Sequence, residues 1–253
     1  MNASPKRGAV IVTGAGQGLG QAFAVRLAAE HYPVVVADIA SDKADAVAKA
    51  IAAQGHEAAA IGVDVTDEGS AGRMVELALD RFGAIEGLVN NASIFSTLKM
   101  RPFFEIPLDE WRSVVDVNMT GVFICSKAAA GPMREREQGR IINIASSVVP
   151  MGRQDYLHYV GSKGGVVGMT RAMARELGPW NITVNAVLPG ATETGIERAT
   201  VTSAQREALI AMRSLKRAQV PDDLAGVVSF LMSEDSRFMT GQNLIVDGGA
   251  VFN

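Results

Sequence analysis

Tyr159 and Lys163 lie one helical turn apart and are the strongest candidates for acid–base chemistry in the chain. Residues four positions apart share one face of a helix. A free tyrosine has a pKa of about 10, which is too high for a base at neutral pH. A neighbouring ammonium favours the phenolate and therefore lowers that pKa. The pair predicts general acid–base catalysis by Tyr159.

Ser146 lies upstream of Tyr159, just after the apolar run at 140–144. A hydroxyl at this point can donate a hydrogen bond to a substrate oxygen, and Ser147 is the alternative residue for that role. Nucleophilic hydrolysis is disfavoured, because no Gly-x-Ser-x-Gly motif surrounds Ser146. None of the three histidines has an evident carboxylate to orient it. His158 is predicted to lie at the mouth of a substrate site or on the ordinary surface.

A glycine-rich turn follows the first apolar run of the chain. Its sequence is Thr13-Gly14-Ala15-Gly16-Gln17-Gly18-Leu19-Gly20. Glycines let the backbone turn tightly and approach a pyrophosphate, and the following helix presents free N–H groups and the positive end of its dipole to the anion. The motif alone is weak, but here a predicted strand precedes it and a predicted helix follows it. This context predicts a dinucleotide site.

Asp38 ends the second predicted strand and indicates which dinucleotide binds. It lies at about the spacing from the glycine turn that is typical of the acid that binds the adenosine ribose. A carboxylate there repels a 2′-phosphate, and neither Gln17 nor Ile39 supplies a cation to attract one. The sequence therefore predicts NAD rather than NADP. A role for Asp38 in capping the next helix is disfavoured, because Ser41 suits that position better.

Short apolar runs alternate with longer segments of helical periodicity along the whole chain. This alternation predicts an α/β fold with a three-layer, doubly wound parallel sheet of the Rossmann type. The runs are continuously apolar, as strands buried on both faces are. The predicted strands are 9–12, 33–37, 58–63, 87–89, 140–144, 182–187 and 243–246. The predicted helices are 18–30, 41–54, 67–82, 109–133, 156–177 and 222–232.

Composition restricts the class of protein further. The chain has 253 residues, of which 48% are hydrophobic, which suits one domain spanning 1–253 with a large core. The net charge of −3 argues against nucleic acid or an anionic membrane as the main partner. No leader, membrane span or metal-ligand cluster is evident, and the single Cys125 is predicted to be buried and inert. We expect a cytoplasmic protein that binds no metal.

These residues together resemble the short-chain dehydrogenase/reductase family, in its short single-domain branch. The resemblance covers about residues 7–249, and the motifs occur in the family's order. Each motif is weak alone, whereas the ordered set is highly specific. The motifs are the glycine turn, Asp64, Asn90-Asn91-Ala92, Asn118, Ser146, Tyr159-x-x-x-Lys163, Pro189-Gly190, Thr240-Gly241-Gln242 and Asp247-Gly248-Gly249.

The resemblance implies hydride transfer between NAD(H) and a secondary alcohol or ketone. It makes Tyr159 the acid/base, Ser146 the residue that polarises the carbonyl, and Lys163 the residue that binds the nicotinamide ribose. It also implies that Asn118 holds a water in a proton relay and that Asn90 supports the nucleotide site. The predicted cofactor contacts are Gly14, Gln17, Gly18, Leu19, Gly20, Asp38, Ile39, Asp64, Val65, Asn91, Ala92, Tyr159, Lys163, Pro189, Gly190, Thr192 and Thr194.

Substrate choice is assigned to the segments 93–100 and 148–158 and to a lid at 190–215. Their mostly apolar character, with Arg153 as the one evident anion-binding residue, predicts a small neutral cyclic or aromatic alcohol, with a sugar or polyol as second candidate. Ser93 stands where the family usually has glycine and adds a side chain beside the cofactor. The predicted substrate contacts are Ser93, Phe95, Ser146, Val148, Met151, His158 and Tyr159.

Two other functions fit the same fold less well. A reductase of 3-oxoacyl thioesters is disfavoured, because such enzymes commonly use NADPH and Asp38 opposes it. A non-catalytic NAD-binding protein is disfavoured because all four implied catalytic residues are present. The resemblance also implies a homotetramer, with the predicted helices 109–133 and 156–177 at one interface.

Overall fold

The protein is built around a seven-stranded, wholly parallel β-sheet with the strand order β3-β2-β1-β4-β5-β6-β7. We analysed a computed structural model, which describes residues 7–196 and 203–252. The strands are β1 (Ala9–Thr13), β2 (Val34–Asp38), β3 (Ala58–Gly62), β4 (Ile85–Asn90), β5 (Gly139–Ile144), β6 (Ile182–Pro189) and β7 (Asn243–Val246).

Helices cover both faces of the sheet and complete the three predicted layers. One face packs against α1, α2 and α9, and the other against α3, α5 and α7. Both faces of β1 are fully buried, which explains why its sequence is a continuous apolar run. The helices are α1 (Gly18–Ala29), α2 (Ser41–Ala53), α3 (Glu68–Phe82), α4 (Leu108–Val115), α5 (Gly121–Glu135), α6 (Val148–Met151), α7 (Leu157–Leu177), α8 (Ser203–Met212) and α9 (Asp222–Met232).

The sheet order places a binding crevice at the centre of the molecule. The chain winds outward from β1 to β3 and then crosses back to β4, so the direction of winding reverses between β1 and β4. Loops that leave the carboxyl ends of these two strands diverge to opposite faces and leave a gap. The glycine turn follows β1, and Asn91 follows β4. The fold therefore brings the two motifs to the same gap.

The long helix predicted at 109–133 exists but contains an irregularity. A π-helical turn at Asp116–Thr120 joins α4 to α5, and Asn118 lies within it. Turns of this kind are rare and occur often at functional sites. Hydrophobic periodicity could predict the length of the helix but not this extra residue in one turn.

Two local expectations differ from the structure. Ser41 is not the N-cap of α2: Ala40 occupies that position, and Ser41 is the first helical residue. The backbone N–H of Ala40 instead donates to Asp38 Oδ1 at 3.0 Å. The second difference is α8, a helix inside the predicted lid that the sequence analysis did not anticipate.

None of the helices in the described ranges 7–196 and 203–252 is long and apolar enough to cross a membrane.

Candidate active site

A cavity of about 650 Å³ lies at the carboxyl ends of the central strands. It brings together three of the four predicted catalytic residues and most of the predicted ligand contacts. The predicted residues that line it are Gly14, Gln17, Leu19, Asp38, Ile39, Asp64, Val65, Asn91, Ala92, Ser93, Phe95, Ser146, Val148, Met151, Tyr159, Lys163, Pro189, Gly190, Thr192 and Thr194. Four predicted residues do not line it, namely Gly18, Gly20, Asn118 and His158.

Asn91 holds the glycine turn in place. Its side-chain Nδ2 donates to the carbonyl oxygens of Thr13 and Gly14, both at 3.0 Å. Its backbone N–H donates to Thr13 Oγ1, also at 3.0 Å. Gly14 has a φ of 63°, which an L-residue with a side chain rarely adopts. The turn is therefore fixed by β4 before any ligand binds.

Gly20 serves packing rather than ligand contact. A Cβ atom at this position would lie 2.2 Å from the carbonyl oxygen of Gly14 and 2.5 Å from Asn91 Nδ2. Gly18, with a φ of 60°, would place a Cβ 2.8 Å from Ile196 on the lid side. Gly20 therefore packs against the glycine turn itself, and Gly18 leaves room for the lid residue Ile196, which lines the cavity.

The start of α1 is suited to an anion. Its N-cap residue, Gln17, makes no side-chain capping hydrogen bond, and the first turn holds no acidic residue. The first N–H groups of a helix have no partner within the helix and carry partial positive charge. Gln17 and Leu19, at this end of α1, line the cavity. The described geometry fits a bound pyrophosphate.

Asp38 lies beside this turn and already accepts two backbone hydrogen bonds. Its Oδ2 accepts from the N–H of Gly16 at 2.8 Å, and its Oδ1 accepts from that of Ala40. Each carboxylate oxygen has a second lone pair, so both can still accept a ligand hydroxyl. Gln17 and Ile39 supply no cation here, as expected, but no sequence pattern indicated a lysine on α2 that lies close to the turn. Lys43 packs against the same turn and donates to Gln17 Oε1 at 2.8 Å.

Asp64 lies farther along the same edge, after β3. Its Oδ1 accepts hydrogen bonds from the backbone N–H and the hydroxyl of Thr66, at 2.9 and 2.7 Å. These bonds stabilise the ionised carboxylate and lower its pKa, with the hydroxyl making the larger contribution. Asp64 is therefore a fixed negative charge at the end of the cavity that Asp38 also lines.

Tyr159 and Lys163 lie on one face of α7 and are both buried, at 8% and 2% exposure. Lys163 Nζ lies 5.7 Å from the centre of the Tyr159 ring and donates to the carbonyl oxygen of Ile144 at 2.8 Å. The opposite wall presents Phe95, whose ring centre lies 4.5 Å from that of Tyr159. The Tyr159 ring therefore has the Phe95 ring on one side and the amine of Lys163 nearby.

Burial changes the acid–base character of Lys163. Removing its amine from water disfavours the ammonium and lowers its pKa from 10.5 to about 7. The expected ammonium beside Tyr159 is therefore only partly populated near neutral pH in the protein alone. With a pKa of about 7, the side chain of Lys163 is present in both its protonated and its neutral form near neutral pH.

Ser146 and Ser147 both line the cavity just beyond β5. Ser146 Oγ accepts a weak 3.3 Å hydrogen bond from the N–H of Val148, which leaves its proton free to be donated elsewhere. Ser147 is tied through its backbone N–H to the carbonyl oxygen of Pro189 at 3.0 Å. The geometry leaves both hydroxyls at the cavity wall.

Asn118 is completely buried and lies behind the cavity rather than in its wall. Its Oδ1 accepts from the N–H of Ile94 at 2.7 Å, and its Nδ2 donates to the carbonyl oxygen of Ile94 at 3.1 Å. It also contacts Ser162 Oγ at 3.3 Å. Asn118 thus joins the π-helical turn to the loop after β4 and to α7, and it acts on the cavity through Ile94.

Asn90 also lies behind the site. Its Nδ2 donates to Ser126 Oγ and to Asn143 Oδ1, both at 2.9 Å. Asn143 in turn donates to Thr170 Oγ1 at 2.9 Å. This buried chain of hydrogen bonds connects β4 and β5 to α5 and α7.

The expectation for His158 is wrong on both counts, because it lies neither at a substrate mouth nor on the surface. Its side chain is fully buried, and its Nε2 lies 3.2 Å from Glu110 Oε1 on α4. Glu110 also contacts Arg101 at 3.3 Å. A carboxylate thus lies within ion-pair distance of this histidine, although the two groups lack hydrogen-bond geometry. Adjacent helical residues point in different directions, so His158 faces α4 while Tyr159 faces the cavity.

The lid brings residues to the cavity that the sequence analysis did not assign. Arg206, Leu209, Ile210 and Arg213 line it from α8 and the turn after it. Arg153, the one anion-binding candidate predicted there, is therefore not the only arginine among the described residues that line the cavity. Helical spacing along 203–213 could have placed these residues on one face, had α8 been recognised. The lid residues 197–202 lie outside the described residues.

Two further expectations concern cysteine and metals. Cys125 is fully buried on α5, as predicted, and burial raises the pKa of its thiol to about 12. In the part of the chain that the structure describes, no group of three or more His, Cys, Asp or Glu side chains is arranged to hold a metal ion.

A doubly wound sheet with a fixed glycine turn and a buried tyrosine–lysine pair at its crevice defines a class of nucleotide-dependent oxidoreductases. A family model described as "Enoyl-(Acyl carrier protein) reductase" matches residues 14–251. The chain belongs to the short-chain dehydrogenase/reductase family.

Relatives with similar sequences span the whole fold. A 3-oxoacyl-[acyl-carrier-protein] reductase of Synechocystis is 38% identical over 244 residues, which cover 95% of this chain and 96% of the relative. An uncharacterized oxidoreductase of Mycobacterium tuberculosis is 41% identical over 243 residues, with the same coverage. A crystal structure from Sinorhizobium meliloti 1021, described as a short-chain alcohol dehydrogenase, has a TM-score of 0.90, 30% identity and 96% coverage of both chains.

Proposed function

We propose that this protein oxidises a secondary alcohol, or reduces the corresponding ketone, with NAD(H), and that Tyr159 is the acid/base. The observation that carries the proposal is the shared cavity. It is lined by the glycine turn and Asp38 at one end and by Ser146, Tyr159 and Lys163 at the other. A dinucleotide that spans this cavity has its adenosine at Asp38 and its nicotinamide near Tyr159.

The residues present fit the cofactor. The start of α1 would hold the pyrophosphate, Asp38 the adenosine ribose, and Lys163 the nicotinamide ribose. Gly190 lines the cavity and packs closely against the segment after β7, because a Cβ there would lie 2.7 Å from Asp247 Cβ. When bound, NAD supplies the acceptor for the hydride from the alcohol carbon.

The protein's own residues manage the proton and the substrate oxygen. Ser146 donates a hydrogen bond to that oxygen and holds it near Tyr159. In the oxidation direction the phenolate of Tyr159 takes the hydroxyl proton of the alcohol, and in reduction the phenol returns it to the carbonyl oxygen. Lys163 stabilises the phenolate when it carries a proton. Phe95 packs on the Tyr159 ring and excludes water from that side.

NAD is the proposed cofactor because the carboxylate of Asp38 lines the cavity, whereas Lys43 does not. The ammonium of Lys43 is held by Gln17 Oε1 at 2.8 Å. A 2′-phosphate at the adenosine ribose would meet the negative charge of Asp38 first, which costs free energy at close range. Lys43 reduces that penalty without removing it.

Reduction of a 3-oxoacyl thioester is the second candidate function. Relatives that are 37–38% identical over nearly the whole chain are named 3-oxoacyl-[acyl-carrier-protein] reductases. The reaction at the carbonyl is the same, so the two candidates differ in the rest of the substrate and in the cofactor. The sequence-based prediction of a small neutral cyclic or aromatic alcohol stays a third hypothesis.

We also propose that the protein assembles as a homotetramer through α4, α5 and α7. Each of these helices exposes a large apolar side chain: Leu108 is 60% exposed, Phe123 51% and Leu157 46%. Burying such side chains between subunits is favourable. Light scattering coupled to gel filtration tests this proposal, and a monomeric mass would contradict it.

The experiment that tests the proposed function is a turnover screen. Secondary alcohols, polyols, 3-hydroxy acids and 3-hydroxyacyl thioesters are each offered with NAD and with NADP, and NADH or NADPH formation is followed by absorbance. We expect turnover of at least one class, with NAD preferred. Binding of NADH without turnover of any alcohol, or of any ketone in reverse, would contradict the proposal.

A further inference from the structure

We infer that the substrate carries an oxyanion, a carboxylate or a phosphate, which binds between Arg153 and Arg206 at the lid end of the cavity. This inference rests on the proposed function and names the class of substrate. It begins from three guanidinium groups that line the same cavity as Tyr159: Arg153 before α7, Arg206 on α8, and Arg213 just after α8.

The charges that line the cavity come from different parts of the fold. Asp38 and Asp64 lie at the ends of β2 and β3, Arg153 lies between β5 and α7, and Arg206 lies on α8. Three strand spacings separate β2 from β5, which is about 14 Å. A separation of this size exceeds the Debye length of about 8 Å at physiological ionic strength, so Asp38 offsets the charge of Arg153 only weakly.

Among the described residues that line the cavity after β5, arginines outnumber carboxylates. Glu193 is the one carboxylate that lines this end within the described residues, against three arginines. It is exposed, and its backbone N–H is bonded to the carbonyl oxygen of Gln219 at 2.8 Å. A bound oxyanion would compensate the positive charge of the arginines that Glu193 does not neutralise.

Arg213 is a fixed cation behind the two proposed anion-binding residues. It is 4% exposed, and its guanidinium donates to the carbonyl oxygens of Ala191 and Arg217. It forms no ion pair with any described residue. Asp223, whose pKa its charge helps to lower, is paired instead with Arg217 at 2.6 Å. A buried cation without a carboxylate partner favours a ligand that supplies one.

Arg153 and Arg206 are the residues free to bind. Arg153 is half-buried, and its guanidinium carbon lies 5.6 Å from the centre of the Tyr156 ring. Arg206 is exposed on α8. Neither forms an ion pair with another residue in the described ranges. Two planar forks of this kind suit a carboxylate or phosphate.

The wall between these arginines and the reacting centre is apolar. Val148, Met151, Leu209 and Ile210 form it, together with Phe95. The substrate that fits has a ketone or secondary alcohol at Ser146 and Tyr159, a short apolar spacer along this wall, and an oxyanion at the lid. A free oxo acid supplies a carboxylate there, and a thioester on a phosphate-bearing carrier supplies a phosphate.

The test compares matched charged and neutral substrates. Short- and medium-chain 3-oxo acids are compared with their ethyl esters, and 3-oxobutanoyl coenzyme A with the N-acetylcysteamine thioester, which has no phosphate. We expect kcat/KM to favour the charged member of one pair by about tenfold or more, as for loss of a charge-assisted hydrogen bond. The pair that shows this preference identifies carboxylate or phosphate as the bound group.

Arginine variants assign the preference to these residues. Arg153→Gln and Arg206→Gln should each reduce the charged-to-neutral ratio, and the double variant should bring it close to one. Arg73→Gln, an exposed arginine on α3 remote from the cavity, is the matched control and should leave the ratio unchanged. Added salt should raise KM for the charged substrate only.

Three results would overturn the inference. Equal kcat/KM for the charged and neutral members of both pairs would show that the enzyme does not recognise the anionic group. An unchanged ratio in the double arginine variant would place the anion site elsewhere. Weaker NADH binding in Arg206→Gln, measured by fluorescence, with the ratio unchanged would assign that arginine to the cofactor. If no ketone or alcohol of either charge is turned over, the proposed function fails instead.

Discussion

The amine of Lys163 lies 5.7 Å from the centre of the Tyr159 ring, and it reaches this position by donating a hydrogen bond to the carbonyl oxygen of Ile144 at the end of β5. The strand therefore fixes the amine, and the helix fixes the phenol. Because burial lowers the pKa of Lys163 to about 7, this arrangement is unfavourable for the folded protein and useful for proton transfer.

Replacing Lys163 with methionine should stabilise the protein at neutral pH. The unfolded lysine keeps its proton up to about pH 10.5, whereas the folded one loses it near pH 7. The unfolded state therefore binds more protons between these values, and wild-type stability rises with pH across this window. The cost of burying the ammonium is largest, up to about 5 kcal/mol, at pH values below 7.

Thermal unfolding of wild type and Lys163→Met between pH 6 and pH 9 measures this effect. These two limits span the folded pKa of about 7. We expect the variant to have the higher Tm at the acidic limit and the difference to shrink as pH rises. A variant less stable than wild type throughout would show that the hydrogen bond to Ile144 outweighs the cost of burial. Activity should be lost in either case.

Asp38 is expected to control the choice between NAD and NADP. Asp38→Ala removes the charge that repels a 2′-phosphate, so the ratio of kcat/KM for NAD to that for NADP should fall by about tenfold. In the double variant with Lys43→Ala the fall should be smaller, because the ammonium beside Gln17 is then also lost. Asp45→Asn, exposed on the same helix α2, is the control. An unchanged ratio in Asp38→Ala would count against its contact with the ribose.

Gly20 is expected to tolerate no side chain. In Gly20→Ala the new Cβ would lie 2.2 Å from the carbonyl oxygen of Gly14, so the glycine turn must shift. We expect weaker NADH binding and a loss of about 1–3 kcal/mol in the free energy of unfolding. Gly72→Ala on α3 is the matched control, because nothing lies within 4 Å of its Cβ, and it should be neutral or stabilising. NADH titration and thermal unfolding of both variants decide the matter.

Asn118 is expected to act as a positioning residue. Asn118→Ala leaves both the N–H and the carbonyl oxygen of Ile94 without their partners, at 2.7 and 3.1 Å in the wild type. The loop that carries Phe95 should then move, so kcat should fall more than NADH affinity. Asn118→Asp retains the acceptor for the N–H of Ile94 and should recover part of kcat. Equal losses in kcat and NADH affinity would indicate general unfolding of the site.

Sequence patterns predicted the features that depend on periodicity and on short motifs. Strand β1 and helix α1 around the glycine turn, the parallel sheet, and the shared face of Tyr159 and Lys163 all follow from local spacing. The prediction that Asn91 and the glycine turn belong to one site agrees with the structure, because Asn91 bonds to both Thr13 and Gly14.

Features that depend on contacts between distant segments could not be predicted in this way. His158 is buried on the side of α7 that faces Glu110 of α4, and no local pattern shows that packing. Lys43 reaches the turn at Gln17 from the facing helix α2. Arg206 is a different case, because it enters the cavity on α8, a local element that was not predicted although its lining residues have helical spacing. For His158 and Lys43, tertiary packing rather than local propensity fixed the position of the charge.

Turnover by Tyr159→Phe is the most direct test of the role of the phenol. The substitution removes the hydroxyl and keeps the ring that packs on Phe95. We predict that kcat falls by about 10³-fold while NADH binding, measured by fluorescence, stays within error of wild type. Tyr32→Phe, whose hydroxyl bonds to Met232 far from the cavity, should keep its activity. A Tyr159→Phe enzyme that turns over its substrate at a rate close to wild type would contradict the assignment.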